Sequence, residues 1–129
     1  MKRNVYDATI ITASPERVIV SLSLSNKQDT ELPCKVVVYQ GVPKGDKLET
    51  VIQKSVELGA FRIVPVLCER SVSRPDKKSV ASKNARYMKI SESAACQCGR
   101  TCIPQVSMMI SFDEMIEEMK SFDGITFAC

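Results

Sequence analysis

The sequence contains no histidine and no tryptophan, and only 5% of its residues are aromatic. Without histidine no Ser-His-Asp or Cys-His nucleophile system can be assembled, and the commonest general base near neutral pH is missing. Glycine is scarce too, with five residues. None of them falls into G-x-G-x-x-G or G-x-x-x-x-G-K-[ST], which argues against a Rossmann dehydrogenase and a P-loop NTPase. No apolar run approaches the ~20 residues of a membrane span. Met1-Lys2-Arg3-Asn4 leads into no signal-peptide core, so a cytoplasmic location with no membrane contact is expected.

What is present is the make-up of a folded domain: 129 residues, 44% hydrophobic and 26% charged. Six cysteines, Cys34, Cys68, Cys96, Cys98, Cys102 and Cys129, invite a disulfide or zinc reading. Cys96-Gln97-Cys98 with Cys102 lacks the C-x-x-C spacing of a zinc knuckle, and its first two thiols point to different sides of a helix. With no secretion signal they read as reduced, small, semi-buried residues. Net charge is +3, unevenly spread. Between Arg62 and Arg100 nine basic residues stand against three acidic ones, a local +6 that leaves −3 for the rest. Such a segment suits a phosphate backbone, although a solvated helix face has the same composition.

The chain is organised around Gly41-Val42-Pro43-Lys44-Gly45-Asp46-Lys47-Leu48-Glu49. The apolar run Val36–Tyr39 before it reads as a strand. After it, Leu48, Val51, Ile52, Ser55 and Val56 recur at helical spacing. Asp46 and Glu49 are placed for a capping box, and Gly59 for a helix stop. Arg62–Leu67, apolar at nearly every position, reads as a strand covered on both faces, so the unit is βαβ with parallel strands. The loop Cys68–Asp76 then leaves the carboxyl end of that strand, where open α/β sheets place ligands, and it carries Arg70 and Arg74. A long helix from about Ser79 to Cys98 follows. Its inward stripe is Val80, Asn84, Tyr87, Ser91, Ala94, Ala95 and Cys98, with Lys83, Arg86 and Lys89 outside. Val106–Ile110 reads as a third strand, Ser111–Glu114 as a capping box, and Phe112, Met115, Ile116, Met119 and Phe122 as the apolar face of a short acidic helix ended by Gly124. Ile125–Ala128 opens a further strand. Upstream, Tyr6–Ile11 and Val18–Leu24 form a hairpin around Ser14-Pro15-Glu16, and Ser25–Glu31 is a linker.

Pro43–Glu49, Ile52–Gly59, Pro65, Glu69-Arg70-Ser71, Gln97-Cys98-Gly99-Arg100 and Ile103-Pro104, taken in that order, resemble the RsmE family. Its members methylate N3 of a uridine in small-subunit 16S rRNA with S-adenosylmethionine. The likeness runs from about Pro33 to Val106. It implies an α/β fold in which residues 32–129 are the N-terminal part of a SPOUT methyltransferase domain, a mainly parallel sheet with flanking helices. Residues 1–31 would be a hairpin from the C-terminal part of a PUA-like RNA-binding barrel. The family's knotted donor loop, Gly-Pro-Glu-Gly-Gly, and its Leu-Arg-x-Glu-Thr segment do not occur, so the resemblance places no S-adenosylmethionine contact in this stretch. Cys96 stands where the family usually has Glu, and Cys102 where a second basic residue is frequent.

By resemblance Lys44, Lys47, Arg70, Gln97 and Arg100 touch RNA or the target uridine, with Arg70 nearest the chemistry as the catalytic candidate. An ion pair with Glu69 is the bland alternative for Arg70. The charge pattern adds Arg74, Lys83, Arg86 and Lys89 as phosphate contacts, whereas Lys54 and Glu57 read as a surface ion pair. The implied partners are 16S rRNA or the small ribosomal subunit, and a second copy in a full-length homodimer. Two other readings stay open: a non-catalytic RNA-binding or assembly module without the donor site, and a plain α/β interaction domain.

Overall fold

The computed structural model describes residues 6–25, 31–69 and 77–127. Strands β1 (Tyr6–Ala13) and β2 (Val18–Leu24) pair antiparallel, with a register shift between Ile10 and Thr12. In the turn between them Ser14 Oγ donates to Glu16 and accepts the Arg17 N–H. Every residue of both strands is exposed. Val18, Val20, Leu22 and Leu24 therefore form an apolar face that no described residue covers, and a two-stranded hairpin of this kind is marginal by itself.

The rest is the expected parallel unit. Strands β3 (Val37–Gly41) and β4 (Arg62–Leu67) run parallel, from Val37 opposite Arg62 to Gly41 opposite Val66, with helix α1 (Lys47–Glu57) between them in sequence. Helix α2 (Lys77–Gln97) returns the chain to β5 (Gln105–Val106) and β6 (Ile110–Ser111). Both pair in parallel with β4. The expected single strand Val106–Ile110 is thus broken in two. Three residues separate Val106 from Ile110 where two separate their partners Ile63 and Val66, and the extra residue interrupts the ladder as a bulge does. Helix α3 (Phe112–Lys120) follows directly.

The expected strand Ile125–Ala128 does not form over residues 125–127, and Ala128 lies outside the described residues. Ile125 is 81% and Phe127 84% exposed. A β-prone run becomes a strand only beside a partner that takes its hydrogen bonds, and among the described residues none lies alongside.

One core is built between the sheet and the first two helices. Leu48, Ile52 and Val56, four residues apart on α1, are buried with Ala60, Ile63, Tyr87, Ala94, Ala95 and Val106. Each large aliphatic among them contributes ~1.5–3 kcal/mol relative to exposure. Small side chains at Ser91, Ala94 and Ala95 let α2 sit close to its neighbours. The buried Ser91 hydroxyl finds its partner in the Pro104 carbonyl at 2.7 Å. The inward stripe of α2 is as expected except at Cys98, which lies past the helix end and is exposed. Cys34, Cys68 and Cys96 are exposed as well, correcting their reading as semi-buried.

The helix ends follow local chemistry closely, with one exception. Both α1 and α2 stop in the same double bond pattern: Gly59 N–H donates to Val56 O and Ala60 N–H to Ser55 O, while Gly99 N–H donates to Cys96 O and Arg100 N–H to Ala95 O. Gly59 and Gly99 have φ of 99° and 71°, the left-handed region that this stop requires. Ser111 and Glu114 form the expected capping box. Asp46 does not, because its side chain makes no cap bond. The Glu49 carboxylate that would complete the box is bound to Arg86 on α2 instead.

Candidate nucleic-acid interface

Because β3 and β4 are parallel, the segments that follow them emerge at the same end of the sheet. Lys44 and Lys47, both exposed, lie on the turn into α1 at that end. Arg86 reaches the same end: its Nη2 lies 2.8 Å from Glu49 Oε1, in the first turn of α1. Lys83 is one turn nearer the start of α2. Lys89 is exposed about one turn further along. Gln97 is also exposed, but a rise of 1.5 Å per residue puts it ~21 Å beyond Lys83. Gln97 is thus well separated from the cations gathered at the carboxyl ends of β3 and β4. Arg70 and Arg74 lie outside the described residues.

Arg100 corrects the sequence reading. It was expected to face RNA, yet its side chain is 7% exposed and its donors are committed internally. Nε lies 3.2 Å from each Glu31 oxygen and Nη2 also bonds Glu31. Nη1 donates to Val56 O at 2.9 Å and Ala60 O at 2.8 Å. These carbonyls close the C-terminal end of α1, where the helix dipole favours a cation. Cys102 N–H adds a further bond to Glu31. Glu31, read from the sequence as the end of a linker, is therefore a structural anchor. Nothing local signals it, since its partner is 69 positions away.

A second polar group escaped the sequence reading. Tyr39 on β3 donates to Glu118 Oε2 at 2.7 Å, while Arg62 on β4 donates to Glu118 Oε1 at 3.1 Å and to the Tyr39 oxygen at 3.3 Å. Helix α3 buries no residue fully, so this trio is a main attachment of that helix to the sheet. The Tyr39 hydrogen bond, reinforced by Arg62, holds the Glu118 carboxyl below its ordinary value. Burial and the neighbouring Glu118 raise the Tyr39 phenol. A depressed carboxyl contributes stability above its unfolded pKa and loses it as pH falls through the folded value. A raised phenol contributes below its unfolded pKa and loses it as pH rises through the folded value. Attachment of α3 is therefore expected to be strongest between about pH 4.5 and 10. Tyr39→Phe should cost ~1 kcal/mol and speed amide exchange in α3 while leaving exchange in α1 unchanged. Equal acceleration in both helices would contradict the attachment role.

A cavity of about 180 Å³ lies between the C-terminal ends of α1 and α2, lined by Leu32, Glu57, Leu58, Gly59, Cys98 and Arg100. It does not fit S-adenosylmethionine, since sites for ligands of that size occupy ~300–1,000 Å³. Lys54 and Glu57 form the expected surface pair at 2.8 Å. No helix among the described residues is long and apolar enough to cross a membrane.

Comparison with known proteins gives one answer from sequence and from structure. The pattern that describes an RNA methyltransferase domain matches residues 30–129. Ribosomal RNA small subunit methyltransferase E of Bacillus subtilis is 43% identical over 101 residues, 78% of this chain and 40% of that protein. The protein of the same name from Synechocystis is 29% identical over 79% of this chain and 32% of its own length. This chain thus spans less than half of these relatives. Among solved structures, a ribosomal RNA small subunit methyltransferase E from Neisseria gonorrhoeae bound to S-adenosyl methionine superposes with a TM-score of 0.75 at 32% identity, covering 93% of this chain and 50% of that one. A Legionella pneumophila protein holding bound SAM covers 88% of this chain and 47% of its own, with a TM-score of 0.72 at 32% identity. With the match running unbroken from the linker through the βαβ unit, the basic helix and α3, the chain belongs to the RsmE family of RNA methyltransferases.

Proposed function

We propose that this chain is part of an rRNA methyltransferase that transfers a methyl group from S-adenosylmethionine to N3 of a uridine in small-subunit 16S rRNA. The observation that carries this reading is the family match over residues 30–129, and the position of Lys44, Lys47, Lys83 and Arg86 at the carboxyl ends of β3 and β4 supports it. In this reading residues 32–129 are the N-terminal part of a SPOUT domain, and residues 1–31 belong to a PUA-like barrel that covers the exposed hairpin. The protein works in the cytoplasm as a homodimer. Arg70 is the catalytic candidate: a guanidinium beside the uracil stabilises the anion left when N3 loses its proton. Arg74, Lys89 and Gln97 extend the RNA contact.

The test is to incubate the polypeptide with small-subunit rRNA and methyl-labelled S-adenosylmethionine, digest the RNA, and identify labelled nucleosides by mass spectrometry. Labelled 3-methyluridine, lost in Arg70→Ala, is expected from a polypeptide that includes the donor loop; label on another base or atom would overturn the assignment. Calorimetry of the 129-residue chain with S-adenosylmethionine is expected to show no micromolar binding. Such binding would place the donor site within these residues.

A further inference from the structure

We propose that Glu49 is an internal stand-in for phosphate: it holds Arg86 in the free chain and is displaced when a phosphate group of RNA docks beside α1 and α2. The inference rests on the RNA-binding reading above and deepens it by naming a residue that tunes the affinity of that surface. Both Glu49 oxygens sit on one nitrogen of Arg86, with Nη2 at 2.8 Å from Oε1 and 2.9 Å from Oε2. A guanidinium offers two paired-donor edges, Nε with Nη2 and Nη1 with Nη2. Both include Nη2, which has one N–H on each edge, so the hydrogen bond to Glu49 takes one of the two edges out of two-point phosphate contact and crowds the other.

Exposure sets the direction of exchange. The Arg86 side chain is 63% exposed and that of Glu49 22%, so the guanidinium is open to solvent while its carboxylate partner lies lower on the surface. A phosphate therefore approaches Arg86 from outside and competes with Glu49 for the same nitrogen. Such a pair holds only ~0–1 kcal/mol, weak enough to be exchanged. Lys47 shares the first turn of α1 with Glu49, and Lys83 and Lys89 each lie one turn from Arg86 on α2, so an incoming phosphate meets further positive charge. Tyr87 and Asp46 are the other titratable groups beside the pair. Glu49 lowers the affinity of this surface for any single phosphate, and RNA that engages several cations at once overcomes it.

The experiment compares Glu49→Gln with Glu117→Gln by fluorescence anisotropy, titrating a labelled oligouridylate over a range of salt. Glu117 is exposed on α3 and paired with Lys120, so its substitution makes the same change in net charge away from Arg86. Glu49→Gln is expected to bind about two- to fivefold more tightly than Glu117→Gln with an unchanged salt slope, since Arg86 meets one phosphate in either complex. In an Arg86→Ala background the gain is expected to vanish. Glu49→Gln binding no more tightly than Glu117→Gln, or a gain that survives Arg86→Ala, would overturn the inference while leaving the RNA-binding reading standing. A wild-type chain that does not bind the RNA at all would overturn that reading, and the inference with it.

Discussion

Replacing Arg100 by methionine is expected to destabilise the fold by about 3–5 kcal/mol, the cost of breaking a buried ion pair by removing one partner. Methionine keeps much of the length and apolar volume but none of the donors. Glu31, whose side chain is 17% exposed, loses the guanidinium that engages both its oxygens. The carbonyls of Val56 and Ala60 lose the Nη1 bonds that hold them. Urea denaturation should show a lower midpoint with an unchanged slope. Arg100→Lys should also lose most of the stabilisation, because a single ammonium cannot reproduce the fork that serves Glu31 and two carbonyls together. The Glu31→Leu, Arg100→Met double variant should recover part of the loss, since the carboxylate deprived of its guanidinium is then gone. A loss below about 1 kcal/mol for Arg100→Met would mean that the residue is solvated and available to RNA after all.

Reversing Lys44, Lys47 and Lys83 to glutamate should weaken RNA binding by about two orders of magnitude at low salt and reduce the salt slope by ~2, close to 0.7 for each lost single-strand phosphate contact. All three lie toward the carboxyl ends of the strands, and Lys44 and Lys47 are exposed. Their reversal replaces attraction by repulsion without opening the core. Reversing Lys54 and Lys120 instead, each in a surface pair with a glutamate three residues away, should change the salt slope little. A basic surface acting only through net charge would respond to both sets per residue alike, and that result would remove the localised interface. Circular dichroism should show unchanged helix content in each variant, so that lost binding is not lost folding.

How much of this was readable in the chain depends on the range over which each feature is determined. Parallel β3 and β4 with α1 between them were legible because hydrophobic spacing, turn residues and helix-stop glycines all act within a few residues of one another. The capping box at Ser111 was legible for the same reason. The box at Asp46 fits the same local rule and fails, because Glu49 meets Arg86, 37 positions away, and a charged partner competes successfully for a carboxylate that would otherwise turn back to its own backbone. The strand over Ile125–Ala128 fails for a related reason: its pattern is correct, but a strand is a property of two chains side by side. Charge count found the basic segment without telling which cations face outward. Lys83 and Arg86 are set beside α1 by the packing of small residues on α2, whereas Arg100 is turned inward by Glu31 and the end of α1. Residue type and local order are carried by the sequence in every one of these cases. Which partner a polar side chain takes is settled when distant segments meet, because burial makes an unpaired charge too costly to leave and proximity selects from all the groups the fold brings near.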